Sequence, residues 1–382
     1  MRDAVIVEAV RTPVGRRNGG LAGVHPVDLS ACVLEAIAER SGIDPALVED
    51  VIWGCVSQVG EQAWNVGRNA ALAAGWPESV PGTTLDRQCG SSQQAVHFAA
   101  AAVISGQCDL VVAGGVESMS RVPMGSNFAS GPGLPFGPRM TSRYQGVVFN
   151  QGVGAEMIAE RWNLSRQQLD EFSLGSHARA AAATDSGAFT EQIVPVHTEA
   201  GVVEQDEGIR RGSTLEAMAA LKTPFRPDGV ITAGNSSQIS DGAAALMVTT
   251  SERAAQLGLR PLVRVHTAVV AGSDPVIMLT GPIPATEKAL KRSGLAIGDI
   301  GAFEVNEAFA PVPMAWLAET GADPARVNPR GGAIALGHPL GGSGARLMTT
   351  LVHHMRVEGV RFGLQTMCEG GGMANATILE LL

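Results

Sequence analysis

The stretch Asp50-Val51-Ile52-Trp53-Gly54 has a counterpart in Asp299-Ile300-Gly301-Ala302-Phe303, and this pair decides the architecture. Each is an acid followed by a short apolar run, the pattern of a buried strand. Each also follows an amphipathic helical pattern closed by Arg-Ser-Gly: residues 29–40 before Arg40-Ser41-Gly42, and 285–291 before Arg292-Ser293-Gly294. Cys89 lies 39 residues beyond Asp50, and His338 lies 39 beyond Asp299. Small residues and a helical run come next in both places, and each series closes on a strand running into glycines. Those strand ends are Val111-Val112-Ala113-Gly114-Gly115 and Leu364-Gln365-Thr366-Met367-Cys368-Glu369-Gly370-Gly371. Ser-Gly after a helix is a common stop signal, so one such match can arise by chance. Four landmarks in the same order read instead as two copies of one α/β unit. A pseudo-twofold axis between the copies would bring the helix starts at Cys89 and His338 together.

The chain has 382 residues, more than a single core usually serves, so two or more packed units are expected. Hydrophobic residues make up 45% and charged residues 17%, enough apolar material for a large core. Aromatics are only 4%, which favours tight packing of Ala-rich helices on sheets. A net charge of −9 argues against a nucleic-acid partner, which would want a clustered basic face. It leaves room for a local Arg/Lys patch serving one phosphorylated ligand. The opening apolar run Ala4-Val5-Ile6-Val7 is too short for a secretory signal. Residues 95–104, which include His97, are too few to cross a bilayer, so no membrane partner is expected. Five cysteines without metal-ligand spacing fit free thiols in a reducing compartment, with the cytoplasm as default location. Cys32, Cys55 and Cys108 read as small packing residues.

Residues 119–235 lie outside the repeat. Arg121 to Gly146 is dense in Gly, Pro, Ser and Arg and reads as a long loop, a kind of segment that is often functional. Helical patterns follow at 155–162 and 166–184, the second preceded by Ser165 with Gln168 three residues on, a capping box. Ser240-Asp241-Gly242 then leads into an apolar strand, 243–248. The expected division is a first half of residues 1–118 plus 236–258, an inserted section of 119–235, and a second half of 259–382.

Four residues carry candidate chemistry, Cys89, His338, Cys368 and Asn306. Cys89, in Asp86-Arg87-Gln88-Cys89-Gly90-Ser91-Ser92, sits between the strand candidate 81–85 and the helical run 93–104. Strand, sharp turn and helix together expose a nucleophile at a sheet end, and the helix N-terminus favours the thiolate. A lone cysteine is more commonly a buried structural residue. His338, in a glycine-rich segment ending Gly337-His338-Pro339-Leu340-Gly341, can take a proton from a thiol or donate to a carbonyl oxygen; taken alone it reads equally as a solvated loop histidine. Cys368, at a strand end before Glu369-Gly370-Gly371-Gly372, can serve as acid and base with the Gly370 amide as an oxyanion donor, or simply end a structural strand. Asn306-Glu307 after the strand opened at Phe303 reads as a water-orienting pair or as a helix cap. No His-x3-His or Cys-x2-Cys pattern points to a metal, and the glycine-rich stretches lack the Walker and dinucleotide signatures.

Taken together the motifs resemble the thiolase family. The resemblance rests on Arg87-Gln88-Cys89-Gly90-Ser91, Thr232-Ala233-Gly234-Asn235-Ser236-Ser237 before Asp241-Gly242, Asn306-Glu307-Ala308-Phe309, the run from Gly331 to Pro339, and Cys368-x-Gly370-Gly371-Gly372. Five segments in the family's order are highly specific, and they cover nearly the whole chain. The resemblance implies an α/β, duplicated thiolase fold, five-layered αβαβα, with an inserted loop domain. It implies that Cys89 carries an acyl group taken from a 3-oxoacyl-CoA, and that His338 activates Cys89. With a water held by Asn306, His338 would also polarise one carbonyl. Cys368 would protonate the leaving acetyl-CoA enolate and then deprotonate CoA, and the amides of Cys89 and Gly370 would form an oxyanion hole. Matching positions suggest Arg210 near the nucleotide part of CoA, and Ser237 and Met278 along the pantetheine. No permanently bound cofactor is implied: acyl-CoA and CoA are substrates, and the assembly is a homodimer or homotetramer. Two departures are Asn150-Gln151, where short-chain members often carry His-Met, and Glu369, in a slot usually small or apolar. They turn the reading from acetoacetyl-CoA towards bulky acyl chains, and the wording around Asp241 and Cys368 is similar to actinobacterial sterol-catabolic members. The activity expected is thiolytic cleavage, yielding acetyl-CoA or propionyl-CoA, in fatty-acid or sterol β-oxidation. A biosynthetic Claisen condensation uses the same residues in reverse. A non-catalytic acyl-CoA or lipid carrier would have lost one of these residues.

Overall fold

The computed structural model describes residues 2–129 and 132–382. Strands Val5–Arg11 (β1), Asp50–Gly54 (β2), Gly82–Leu85 (β3), Leu110–Ser118 (β4) and Ser240–Thr249 (β5) lie in the order β3-β2-β4-β5-β1. β2 is parallel to β3 and β4, whereas β5 is antiparallel to β4 and β1. Strands Val263–Gly272 (β6), Ala302–Val305 (β7), Phe362–Glu369 (β8) and Met373–Leu381 (β9) follow in the order β7-β8-β9-β6. β7 is parallel to β8, and β9 is antiparallel to β8 and β6. Val327 adds a parallel bridge to Phe303 of β7, standing where β3 stands beside β2. Order and direction therefore repeat strand for strand. The half-sheets meet where β1 pairs with β6, at Val5↔Arg264 and Ile6↔Val263.

The helices are Pro26–Ser41 (α1), Val66–Ala73 (α2) and Ser91–Ser105 (α3), then Gln151–Arg161 (α4) and Arg166–Asp185 (α5) in the middle section. Pro282–Ser293 (α6), Pro311–Thr320 (α7) and Leu340–Glu358 (α8) are the longer helices of the second half. The two Arg-Ser-Gly stops end α1 and α6 by one device, a left-handed glycine at φ 69° (Gly42) and 76° (Gly294). α1 and α2 cover the outer face of the first half-sheet through Leu29, Val33, Ile37 and Ala70. α6 and α7 cover the second through Ala285, Ala289 and Trp316. α3 and α8 lie between the half-sheets, joining Ile6, Val111 and Leu246 to Val263, Ala302 and Leu379 in one core. That gives five layers. β4 is buried along its whole length, as expected of a strand covered on both faces.

Within the middle section the capping box at Ser165 and Gln168 is present, and α4 packs Ala155 and Ile158 against Ile277, Ala308 and Phe309 of the second half. The long loop carries two short helical turns, Ser126–Ala129 and Pro138–Arg143, and positions 130 and 131 of it lie outside the described residues.

α3 and α8 meet at their first turns. Ala345 N donates to Ser92 Oγ (2.8 Å), and a Cβ on Gly344 would lie 2.3 Å from Gln93 N, too close for any side chain. In an ordinary helix interior Gly→Ala stabilises by about 0.5–1 kcal/mol. Gly344→Ala instead overpacks this crossing, and thermal melting should show a loss of about 1–3 kcal/mol. A raised melting temperature would mean that the two helices do not approach so closely.

Candidate active site

The Cys89 turn is built by local bonds. Gln88 N donates to Asp86 Oδ1 (2.6 Å), Arg87 N to Ser91 Oγ (2.9 Å), and Ser91 N to the Gln88 carbonyl (3.0 Å). Gln88 sits at φ +49°, in the left-handed region, where a non-glycine residue costs about 1–3 kcal/mol. The strand, turn and helix expected from the sequence are therefore present, with the strained residue immediately before Cys89. Cys89 stands two residues ahead of α3, and His338 stands two ahead of α8. The bond from Ala345 to Ser92 ties those helix starts together.

His338 is fixed in one tautomer. Its Nδ1 lies 2.6 Å from Ser343 Oγ, and the single Ser343 hydroxyl proton is donated to the Pro339 carbonyl (2.9 Å). Ser343 can therefore only accept, so Nδ1 carries the proton and Nε2 offers a lone pair. Nε2 is buried without a partner. Asn306, just beyond β7, donates its amide to the Thr366 carbonyl (3.1 Å) and places Nδ2 4.0 Å from Cys368 Sγ. Its Oδ1 is also buried without a partner. Asn306-Glu307 does not cap the helix that follows it, because α7 starts only at Pro311. Gly370 follows β8 and lies against the Cys89 turn, where a Cβ would sit 2.8 Å from Gln88 Oε1.

Burial sets the charge of these groups. It drives the His338 pKa down to about 3, with Arg346 adding to the effect. Burial pushes Cys368 up to about 12, opposed by Asn306. Cys89 is raised well above an ordinary thiol by burial, then by Cys368 and Glu369, against a hydrogen bond from Gln151. Burial thus favours a neutral imidazole at His338 and neutral thiols at Cys89 and Cys368. This corrects the expectation of a thiolate at the helix start. A helix terminus contributes about 0.3–2 kcal/mol, whereas stripping water from a buried ion costs several kcal/mol.

Ser237 and Met278 come to the same region. Ser237 N donates to the Ala308 carbonyl (2.9 Å), and Met278 packs with Ala308, Ile334 and Cys368. Met278 has φ +61°, an outlier for an unbranched bulky residue. Arg210 is exposed and further out, its amide donating to His177 Nδ1 (3.1 Å). Among the described residues no group of three His, Cys, Asp or Glu side chains is placed to hold a metal ion.

Several supporting roles escape a sequence reading. Ser343 fixes the imidazole; its position one turn into a glycine-rich helix start was the available signal. The Glu117 carboxylate, fully buried, accepts from the amides of Val56, Ser57 and Gly341 and from Gln62 Nε2, tying the end of β4 to the His338 turn. Glu307 accepts from Ser176 Oγ, Asn328 Nδ2 and the Ile334 amide, holding the segment that leads to His338. Gln151, at the start of α4, works against the rise in the Cys89 pKa.

Residues 4–252 match the model for the thiolase N-terminal domain, and residues 259–381 match that for the thiolase C-terminal domain. The chain belongs to the thiolase family. This thiolase is 52% identical over 388 residues to the steroid 3-ketoacyl-CoA thiolase FadA6 of Mycobacterium tuberculosis, covering 100% of the chain and 95% of that relative. It is 46% identical over 391 residues to a 3-ketoacyl-CoA thiolase of Escherichia coli, covering both proteins fully. Its fold superimposes on the crystal structure of the Bacillus anthracis acetyl-CoA acetyltransferase with a TM-score of 0.91 at 38% identity, covering 100% of this thiolase and 99% of that chain. No helix among the described residues of this thiolase is long and apolar enough to cross a membrane.

Proposed function

We propose that the protein is an acetyl-CoA C-acyltransferase that cleaves a 3-oxoacyl-CoA with CoA in β-oxidation. The observation that carries this reading is the buried, unpartnered Nε2 of a neutral His338 in a site with two buried thiols. Cys89 Sγ attacks the 3-carbonyl as its proton passes to His338 Nε2, so no thiolate is needed at rest. The tetrahedral oxyanion is received by donors preset in a dry site. Collapse breaks the C2–C3 bond, leaves the acyl group on Cys89, and sends the electron pair to C2, which takes its proton from Cys368. CoA then gives its thiol proton to the Cys368 thiolate and attacks the acyl-cysteine. Cys89 leaves and recovers its proton from His338. Asn306 Oδ1, without a partner of its own, holds the water that helps His338 polarise a carbonyl. The amides of Cys89 and Gly370 receive the other oxyanion.

Arg210 takes the phosphorylated end of CoA, with Ser237 and Met278 along the pantetheine. The acyl chain runs past Gln151 towards the aromatic side chains of the long loop, where Phe149 packs edge-on to Tyr144 (5.0 Å) and Phe136 (6.5 Å). This wall, together with the steroid substrate in the Mycobacterium relative's name, supports a long or polycyclic acyl group. The chain works in the cytoplasm, where its five free cysteines stay reduced, as a homodimer or homotetramer. A carrier without catalysis has no use for a base with a free lone pair. A panel of 3-oxoacyl-CoAs from four carbons to polycyclic, followed by loss of free CoA thiol, should show CoA-dependent cleavage with an acyl mass on the Cys89 peptide. No cleavage and no adduct across the panel would overturn the assignment.

A further inference from the structure

Glu369 ends β8 next to Cys368, and no step above uses it. Its side chain is 0% exposed, and neither carboxyl oxygen has a hydrogen-bond partner. Strand alternation sends it away from the Cys368 side chain, against the start of α3, where a Cβ on Gly90 would lie 2.0 Å from its Oε1. Asn375 shares this corner; its Nδ2 donates to the Gly90 carbonyl (3.0 Å), while its Oδ1 has no partner. The nearby amides of the turn are committed elsewhere, Gly90 N to the Arg87 carbonyl and Ser91 N to that of Gln88. The charged and titratable neighbours are Asp86, Arg87 and the two thiols, Cys89 and Cys368.

We propose that Glu369 is a positioning residue that sets the charge of the site, its carboxyl having to be neutral for Cys89 and Cys368 to release their protons. The proposal rests on these two being the reacting thiols. A buried carboxylate without a donor is strongly disfavoured, so the acid form prevails at neutral pH. Burial raises the group to about 8, with Arg87 pulling the other way and Asp86 adding. As pH passes through that value a carboxylate appears within electrostatic reach of both sulfurs and opposes a thiolate on either. Turnover should therefore fall on the alkaline side, through a group that takes no proton from substrate.

The test compares kcat/KM of wild type and Glu369→Gln as a function of pH. Because the neutral acid declines about tenfold per pH unit above its pKa, the variant-to-wild-type ratio should rise about tenfold between pH 7 and pH 9; a ratio independent of pH overturns the proposal. Alkylation of Cys89 by iodoacetamide, read on its peptide, needs no turnover. The variant-to-wild-type rate ratio should rise between pH 6 and pH 9, whereas a packing role would shift both pH values alike and would also overturn it. If Glu369→Gln does not fold, Asp86→Asn should move the alkaline limb to lower pH and Arg87→Met to higher pH, and no movement in either sinks the idea. An acyl mass on wild-type Cys89 separates the two failures. Without it the proposed reaction falls; with it and an unmoved limb, only the role of Glu369 falls.

Discussion

Cys89→Ser should lose CoA-dependent cleavage by on the order of 10^4-fold or more, with no acyl mass on the residue-89 peptide. At 1.36 kcal/mol per tenfold that is a barrier increase of about 5.5 kcal/mol. The size follows from the resting state. Even a thiol raised by burial ionises far more readily than a hydroxyl, so the same proton transfer to His338 Nε2 is much harder from a serine. The fold should be unaffected, since the oxygen is smaller than the sulfur and the turn is held by Asp86, Arg87 and Ser91. Retained cleavage by the serine variant would move the nucleophile elsewhere.

Cys368→Ala should separate the two halves of the reaction. Thioester exchange from a saturated acyl-CoA onto Cys89 expels a CoA thiolate, a far better leaving group than an enolate, so it depends much less on a proton from Cys368 and the acyl mass still appears. Carbon–carbon cleavage needs a proton for the departing enolate, and loss of that donor typically costs about 10^2–10^4-fold. The side chain packs with Met278, Ala308 and Ile334, so removing one sulfur leaves a small cavity without exposing the site. Stopped-flow cleavage with a normal rate would reject the assignment. Equal loss of exchange and cleavage would mean that Cys368 supports Cys89 itself.

The duplicated order was legible because helix stops and strand starts are local signals. Arg40-Ser41-Gly42 and Arg292-Ser293-Gly294 end helices within two residues of where the pattern places them. The capping box at Ser165 was legible for the same reason. Protonation states were not. The helix-start position of Cys89 suggests a thiolate, and only its enclosure among Val56, Met119, Leu340, Leu347 and Met367 reverses the sign. Glu369 was visible as an odd residue, but its lack of any donor depends on Gly90 and Asn375, 279 positions behind it and six ahead. Ser343 and Glu117 act through bonds across the fold, which no spacing in the chain announces.

The narrow seam between β1 and β6, beside a core shared by α3 and α8, bears on origin. Neither half is a free-standing fold, because each treats as interior what the other would leave to solvent. Such a chain is a fused pair, equivalent to a homodimer whose subunits have become continuous. A true homodimer must carry the same residue at both helix starts, by symmetry. Fusion lifts that constraint. One start now presents a thiol and the other an imidazole, a division of labour that identical subunits could not hold.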